Sequence, residues 1–451
     1  MATANKNNYR VEITNRQILQ IAMPISLAIL VPQINFITNN IFLGQLDEQS
    51  LATAGITGVF YLIFAVVGQG LNNGLQALIA RRAGENRIDE IGKLFSQSLL
   101  ISLALALVCI AITYFFAPWI LQFSLRSAAL REQAVGFLQI RIWGLPFLYI
   151  YQMRNALLVG TNQSKFLIYG TLAETIVNIV LDYSLIFGHF GLPKMGFNGA
   201  AYASIIAEAS GMLVVFAVIH AKGISKQLQL YVQFKFDKKR TILILTQSSP
   251  LIAQYVISVT SWEFFYIMVE HHGQRDLAIS NTMRNIFGLF GVFTWSFAST
   301  TNTMVSNIIG QDKKERVFEL IKKIIKLSMT FSVSMAVLLN IFPHAFLSLF
   351  GQGNDFAEAA LPVLRVVSVA LVMMSFSTIW LNAVTGTGNT EVNLAIEIIT
   401  IIFYCIYVYL TLGYFNLSIL YGWMSEYVYW MTTFTFAFFY IRSGRWKKKV
   451  I

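Results

Sequence analysis

Residues 166–188 read FLIYGTLAETIVNIVLDYSLIFG, an apolar run that ends on a glycine and carries two acids, Glu174 and Asp182. At about 1.5 Å per residue, a helix of this length crosses a bilayer core of about 30 Å, which needs about 20 mostly apolar residues. Eleven more runs of this kind surround it, at about 18–43, 52–80, 93–118, 133–159, 197–221, 242–270, 277–309, 317–342, 357–385, 391–413 and 416–441. The pattern predicts an all-α polytopic membrane protein with twelve transmembrane helices.

Composition agrees. Of 451 residues, 56% are hydrophobic and 12% are charged, against about 25% charged in a soluble protein whose surface water must wet. The first twenty residues are polar and the run after them is too long for a leader's apolar region, so no cleaved signal is expected. Cys109 and Cys405 fall inside apolar runs and read as unpaired packing residues. The adjacent His271 and His272 read as a solvated helix end. With no CxxC, Walker or dinucleotide-type glycine motif, neither a metal nor a cofactor nor ATP hydrolysis is expected.

Lysine and arginine are unevenly placed. With the N-terminus inside, the inner segments hold Lys6, Arg10, Arg16, Arg81, Arg82, Arg87, Lys93 and Lys165. The loop from Lys222 to Arg240, the stretch from Lys313 to Lys326 and the tail from Arg442 to Lys449 add to them. Outer loops offer Arg126, Arg131, Lys194 and Arg275. This bias predicts that both termini are cytoplasmic, and it accounts for the net charge of +11 without a nucleic-acid partner.

The two halves repeat at a spacing of 226 residues. Pro24 pairs with Pro250, Leu51-Ala52 with Leu277-Ala278, Gly84 with Gly310, Gly160-Thr161 with Gly386-Thr387, and Gly196 with Gly422. Six spans per copy is an even number, so both copies enter from the same side, as in parallel repeats related by an axis along the membrane normal. The expected organisation is an N-terminal six-helix lobe (1–221), a cytoplasmic linker (222–241), and a C-terminal six-helix lobe with a basic tail (242–451). Facing lobes that rock suit a carrier.

Ionisable residues inside spans are costly and mark candidate sites. The acids are Glu174, Asp182, Glu208, Glu263, Glu397 and Glu426; the bases are Arg141, Arg154, Arg284 and Arg365. Glu174, Asn178 and Asp182 recur every four residues and share a helix face. Such a stripe can bind a small cation or hold a proton; it can equally be a polar seam joining two helices. Pro24 and Pro32 each remove a backbone hydrogen bond from the first span, which lets it bend. Aromatics make up 14% of the chain, and a minority of them inside a cleft can stack on flat or cationic substrates.

Six short segments follow one another along the chain: Ala22-Met23-Pro24-Ile25, Asn39-Asn40-Ile41-Phe42-Leu43-Gly44, Arg82-Ala83-Gly84-Glu85, Gly144-Leu145-Pro146, Asn178-Ile179-Val180-Leu181-Asp182, and Gly199 to Ser204. By these residues, in this order and at these spacings, the chain from about residue 14 to residue 442 resembles the multidrug and toxic compound extrusion (MATE) family. The resemblance implies an exporter of drugs or metabolites driven by inward H⁺ or Na⁺. It implies a monomer in the membrane lipid of a bacterial inner membrane, with small amphipathic or cationic substrates. In the DinF-like branch the cation site joins acids, an amide and a hydroxyl of helices one, five and six. Those positions are Asn39, Asn178, Asp182 and Ser204 here. Asn39 replaces an acid and Ser204 a threonine; either Asp182 works with one carboxylate fewer, or Glu174, on the same face, compensates. Secondary candidates are Glu263, paired with Arg284, and Glu397. The alternatives are a flippase for lipid-linked sugars and, with no clear catalytic constellation, an intramembrane enzyme.

Overall fold

A computed structural model describes residues 9–46, 48–124, 127–231, 235–348 and 353–451; Lys6 and Arg126 lie outside them, as do the side chains of Asn40, Leu51 and Ala52. Among the described residues, twelve long helices follow one another. The first six are α1 (Asn15–Gly44), α2 (Glu48–Gly84), α3 (Ile88–Ser124), α4 (Ala128–Gly160, with a 3-10 turn at Ile142–Gly144), α5 (Leu167–Phe187) and α6 (Phe197–Ala221). The second six are α7 (Lys238–Glu270), α8 (Gln274–Gly310), α9 (Val317–Ile341), α10 (Asn354–Thr387), α11 (Thr390–Val408) and α12 (Ser425–Arg442). No strand occurs among the described residues.

Among the described residues, nine helices are long and apolar enough to cross a membrane. Helix α8 is not one of them, because its second half is a run of Ser, Thr and Asn buried by protein. Thr300 and Thr301 donate to the carbonyls of Ser296 and Phe297, at 2.8 and 2.7 Å, so their hydroxyls are satisfied within the helix. The last span differs from its expected start near 416. Helix α11 runs on through a π turn at Tyr409–Tyr414, and a short helix, Ile419–Trp423, precedes α12. The break has local causes. Gly422 lies against Leu412, and Trp423 Nε1 is tied to Ser280 Oγ at 3.1 Å.

Packing groups the chain into two compact units that divide it differently from the expected boundaries at 221 and 242. One unit comprises Leu27–Arg82 and Arg87–Ser248; the other comprises Met1–Ser26, Ala83–Asn86 and Ser249–Ile451. The first helix of each repeat therefore passes from one unit into the other close to its proline, Pro24 or Pro250. The described parts of the expected linker, 222–231 and 235–241, are docked as well. Leu228 and Leu230 are buried, and the Leu228 carbonyl sits so close to Gly92 of α3 that a Cβ there would lie 2.5 Å from it. Gln97 of α3 holds Asp237 N at 3.0 Å, and Glu90 takes a forked pair from Arg240.

The repeat is written in turn geometry as well as in sequence. Asn86 and Asp312, at equivalent positions, have φ of 60° and 61°; Asn162 and Gly388 have φ of 60° and 88°. These are the residue types that tolerate the left-handed region. Gly160 lies against Ile79 and the Gln76 carbonyl of α2, while Gly386 lies against Val305 and the Asn302 carbonyl of α8. Each contact is the other displaced by the repeat spacing.

Candidate functional site

Helix α5 carries the stripe, and its lower and upper parts have different neighbours. Asp182 and Asn178 are both buried. Asn178 Nδ2 donates to Asp182 Oδ2 at 3.1 Å, and Asn35 Nδ2 of α1 donates to Asn178 Oδ1 at 2.5 Å. This directional chain, Asn35 to Asn178 to Asp182, leaves acceptors over. Among the described residues, the buried oxygens Asp182 Oδ1, Asn35 Oδ1 and Asn39 Oδ1 have no hydrogen-bond partner. Unmatched buried acceptors are costly. Oxygens of this kind are also the ligands that a hard cation or a proton takes. Asn39 lies one turn beyond Asn35 on α1, and Ser204 is half-buried on α6, the helix packed along α5. Asn35 is the partner that sequence reading passed over as a ligand; its spacing of four residues from Asn39 was the available signal.

Glu174 does not join this group. Its carboxyl faces Gly211 of α6, where an added Cβ would lie 3.3 Å from Oε2. Eight residues are about 12 Å of rise, and they rotate a side chain by about 80° around the helix, so one end of the stripe looks elsewhere. What it faces is an ion pair. Arg141 of α4 donates to both oxygens of Glu208 on α6, at 2.9 and 2.5 Å. The guanidinium lies 3.9 Å over the Tyr61 ring, and the Tyr61 hydroxyl donates to Glu208 at 3.2 Å. Gly144 makes the room, since a Cβ there would strike both partners. Both charges are cancelled by each other, which leaves Asp182 as a buried acid held by an amide alone.

Helix α1 runs unbroken through Pro24 and Pro32. In the unit that contains α7 to α12, the expected pair of Glu263 and Arg284 is not formed; the Arg284 guanidinium lies 5.2 Å over the Tyr266 ring. Glu397 is fully buried, and three neutral side chains bond it: Ser258, Tyr429 and Gln254.

The sequence profile of the MatE family matches residues 24–184 and matches again at 250–410, the two copies displaced by the spacing of the repeat. The chain belongs to the MatE family. A probable multidrug resistance protein NorM of Thermotoga maritima is 22% identical over 441 residues, covering 97% of this chain and 94% of its own. A probable multidrug resistance protein YoeA of Bacillus subtilis is 24% identical over 66% of this chain and 65% of its own. The fold matches a MATE transporter crystallised with MaL6 at a TM-score of 0.90 and 18% identity, over 99% of this chain and 100% of that one. It also matches an outward-facing multidrug-resistance MATE transporter at 0.88 and 19%, over the whole of both chains. MatE proteins are membrane transporters of small drugs, and this chain is an integral membrane protein of that family with the family's two-lobed, twelve-helix fold.

Proposed function

We propose that the protein is a secondary active exporter that exchanges H⁺ or Na⁺ for amphipathic or cationic aromatic drugs or metabolites by alternating access. The observation that carries this reading is the set of unsatisfied oxygens on Asp182, Asn35 and Asn39, beside amide donors already committed to Asn178 and Asp182. Asp182 is the coupling acid. Asn178, Asn35 and Asn39 are its neutral partners, and Ser204 supplies a hydroxyl from α6. Loading the site from outside removes the charge on α5 and favours a different bend of α1 near Pro24, which weakens substrate binding. A cation drives such a shift only through its different affinity for the two states. Glu174, which faces Gly211, contributes through the field of its charge and not as a ligand. In this reading the protein works as a monomer in the lipid of a bacterial inner membrane with both termini in the cytoplasm, an orientation that the basic inner loops support.

Ethidium efflux from cells expressing wild type or Asp182→Asn, with proton and sodium gradients imposed separately, tests this. Gradient-driven efflux should fall by about tenfold or more in the variant, and the effective gradient names the ion. Undiminished coupling in a well-inserted Asp182→Asn protein overturns the assignment.

A further inference from the structure

Glu397 has partners unlike those of any other buried acid described above. Oε1 accepts from the Ser258 hydroxyl at 2.5 Å and from the Tyr429 hydroxyl at 2.5 Å, and Oε2 accepts from Gln254 Nε2 at 3.3 Å. Three helices, α7, α11 and α12, thus converge on one carboxyl. Ser258 Oγ also stands 2.9 Å from the Gln254 carbonyl oxygen, one turn back along α7. A serine has a single hydroxyl hydrogen and can accept as well as donate, so it serves one of these two acceptors at a time.

That choice gives the cluster two complete states. With Glu397 ionised, Ser258, Tyr429 and Gln254 all donate to the carboxylate. With Glu397 protonated on Oε1, the new O–H donates to Ser258 Oγ, and Ser258 turns its own hydrogen to the Gln254 carbonyl. Tyr429 and Gln254 keep their bonds. The hydroxyl hydrogens of Ser258, Tyr429 and protonated Glu397 have acceptors either way, and the states differ by one proton and one hydroxyl rotation.

The surroundings agree with a proton and not with a metal cation. Each of these contacts to the carboxyl is a hydrogen donor, which repels a cation, and both oxygens of Glu397 are already engaged by such donors. The Asp182 site is the reverse case. Among the described residues no lysine or arginine forms an ion pair with Glu397, whereas Arg141 pairs with Glu208 at 2.5 Å. Among the other titratable groups on the packed helices, Tyr404 of α11 packs with its ring centroid 5.8 Å from that of Tyr429. Helix α12 contributes Tyr429 and Glu426, the latter taking a bond from Trp430 Nε1 at 2.9 Å. Helix α7 contributes the half-buried Glu263, and α8 contributes Arg284 over Tyr266. Arg365 of α10 and Glu391 of α11 are exposed.

We propose that Glu397, with Ser258, Tyr429 and Gln254, forms a second proton-carrying site, built by α7, α11 and α12, that takes one proton from water and returns it without a metal ion. Its part in transport rests on the antiport reading above; its proton chemistry does not. Infrared difference spectra of the purified transporter in lipid, recorded from about pH 5 to about pH 9, where a buried carboxyl titrates, read the proton directly. A protonated carboxyl band should fade with rising pH in wild type and in Asp182→Asn, and its Glu397 share should be missing in Glu397→Gln. Ser258→Ala, which keeps the carboxyl but removes the rotor, should shift that titration by about one pH unit. Spectra of Glu397→Gln that superimpose on wild type throughout overturn the proposal. So does an unshifted titration in Ser258→Ala, the variant to rely on if Glu397→Gln does not fold. In proteoliposomes Glu397→Gln should carry one proton fewer per ethidium, read from the gradient at which net flux reverses. Absence of gradient-driven flux in wild type defeats the antiport reading, while the infrared titration still decides on Glu397.

Discussion

A carboxylate inside a membrane protein is expensive to bury, and Glu208, Asp182 and Glu397 meet the cost in different ways. Glu208 uses a guanidinium. Removing one member of a buried pair costs about 3–5 kcal/mol, because the survivor is left charged and alone. Glu208→Ala should therefore lower the unfolding midpoint of the detergent-purified protein sharply, and Glu208→Ala combined with Arg141→Met should recover much of the loss. Equal midpoints for the single and double variants would show that the pair does not hold α4 to α6. Asp182 uses amides. Asn35→Ala removes the donor to Asn178 Oδ1, so the half-saturating concentration of the coupling ion should rise by about tenfold while the unfolding midpoint moves little. The pairing of Asn178 with Asp182 was readable from their spacing on one helix. The pairing of Arg141 with Glu208 was not, since spacing within a helix carries no information about which residue of another helix stands opposite.

At the scale of elements, the segment before α1 is the least expected feature. Tyr9, Val11 and Ile13 are buried while Arg10 and Glu12 are exposed, so this polar-looking stretch is an extended strap with one apolar edge. Its backbone is pinned to α8: Val11 N bonds Asn307 Oδ1 at 3.1 Å, Asn307 Nδ2 bonds the Tyr9 carbonyl at 3.0 Å, and Gln311 bonds the Val11 carbonyl at 2.9 Å. Lys323 of α9 holds the Ile13 carbonyl at 3.0 Å. Asn307→Ala leaves buried backbone groups unpaired, a loss of about 1–3 kcal/mol. Amide exchange at residues 9–13 should quicken accordingly, with the core of α10 unchanged as the internal reference. The alternation of Tyr9, Val11 and Ile13 was a period-two signal in the sequence. Composition, which counts residues without regard to their order, masked it. The Ser and Thr run of α8 was read correctly as a span because its length and flanks marked it, although its hydropathy alone does not.

For the whole molecule, the repeat makes paired predictions available. Gly160→Ala and Gly386→Ala put a Cβ at 2.8 Å from Ile79 and at 2.7 Å from the Asn302 carbonyl, respectively. Overpacking of this kind costs about 1–3 kcal/mol. Both variants should lose thermal stability, Gly386→Ala the more, because a backbone carbonyl yields less than an isoleucine methyl. The helix count, the repeat and the family were legible because each is a pattern along the chain. The sites were legible in part: Asp182 and Asn178 by motif, and Glu397 only as a buried charge. The partners of Glu397 lie 139 and 143 residues before it and 32 after it, so only folding brings them together.

The strap also sets a timetable. Translation delivers Val11 long before Asn307, and the bond between them spans 296 residues. At about 5–20 residues per second, the wait is on the order of 15 to 60 s. For that interval residues 9–13 lack their α8 partners, even though α2 to α6 have been synthesised and can insert. A ribosome that stops before α8 leaves Tyr9, Val11 and Ile13 uncovered, next to arginines a protease can reach. Residues 9–13 are thus made early and secured late, and their protection records that synthesis has passed α8.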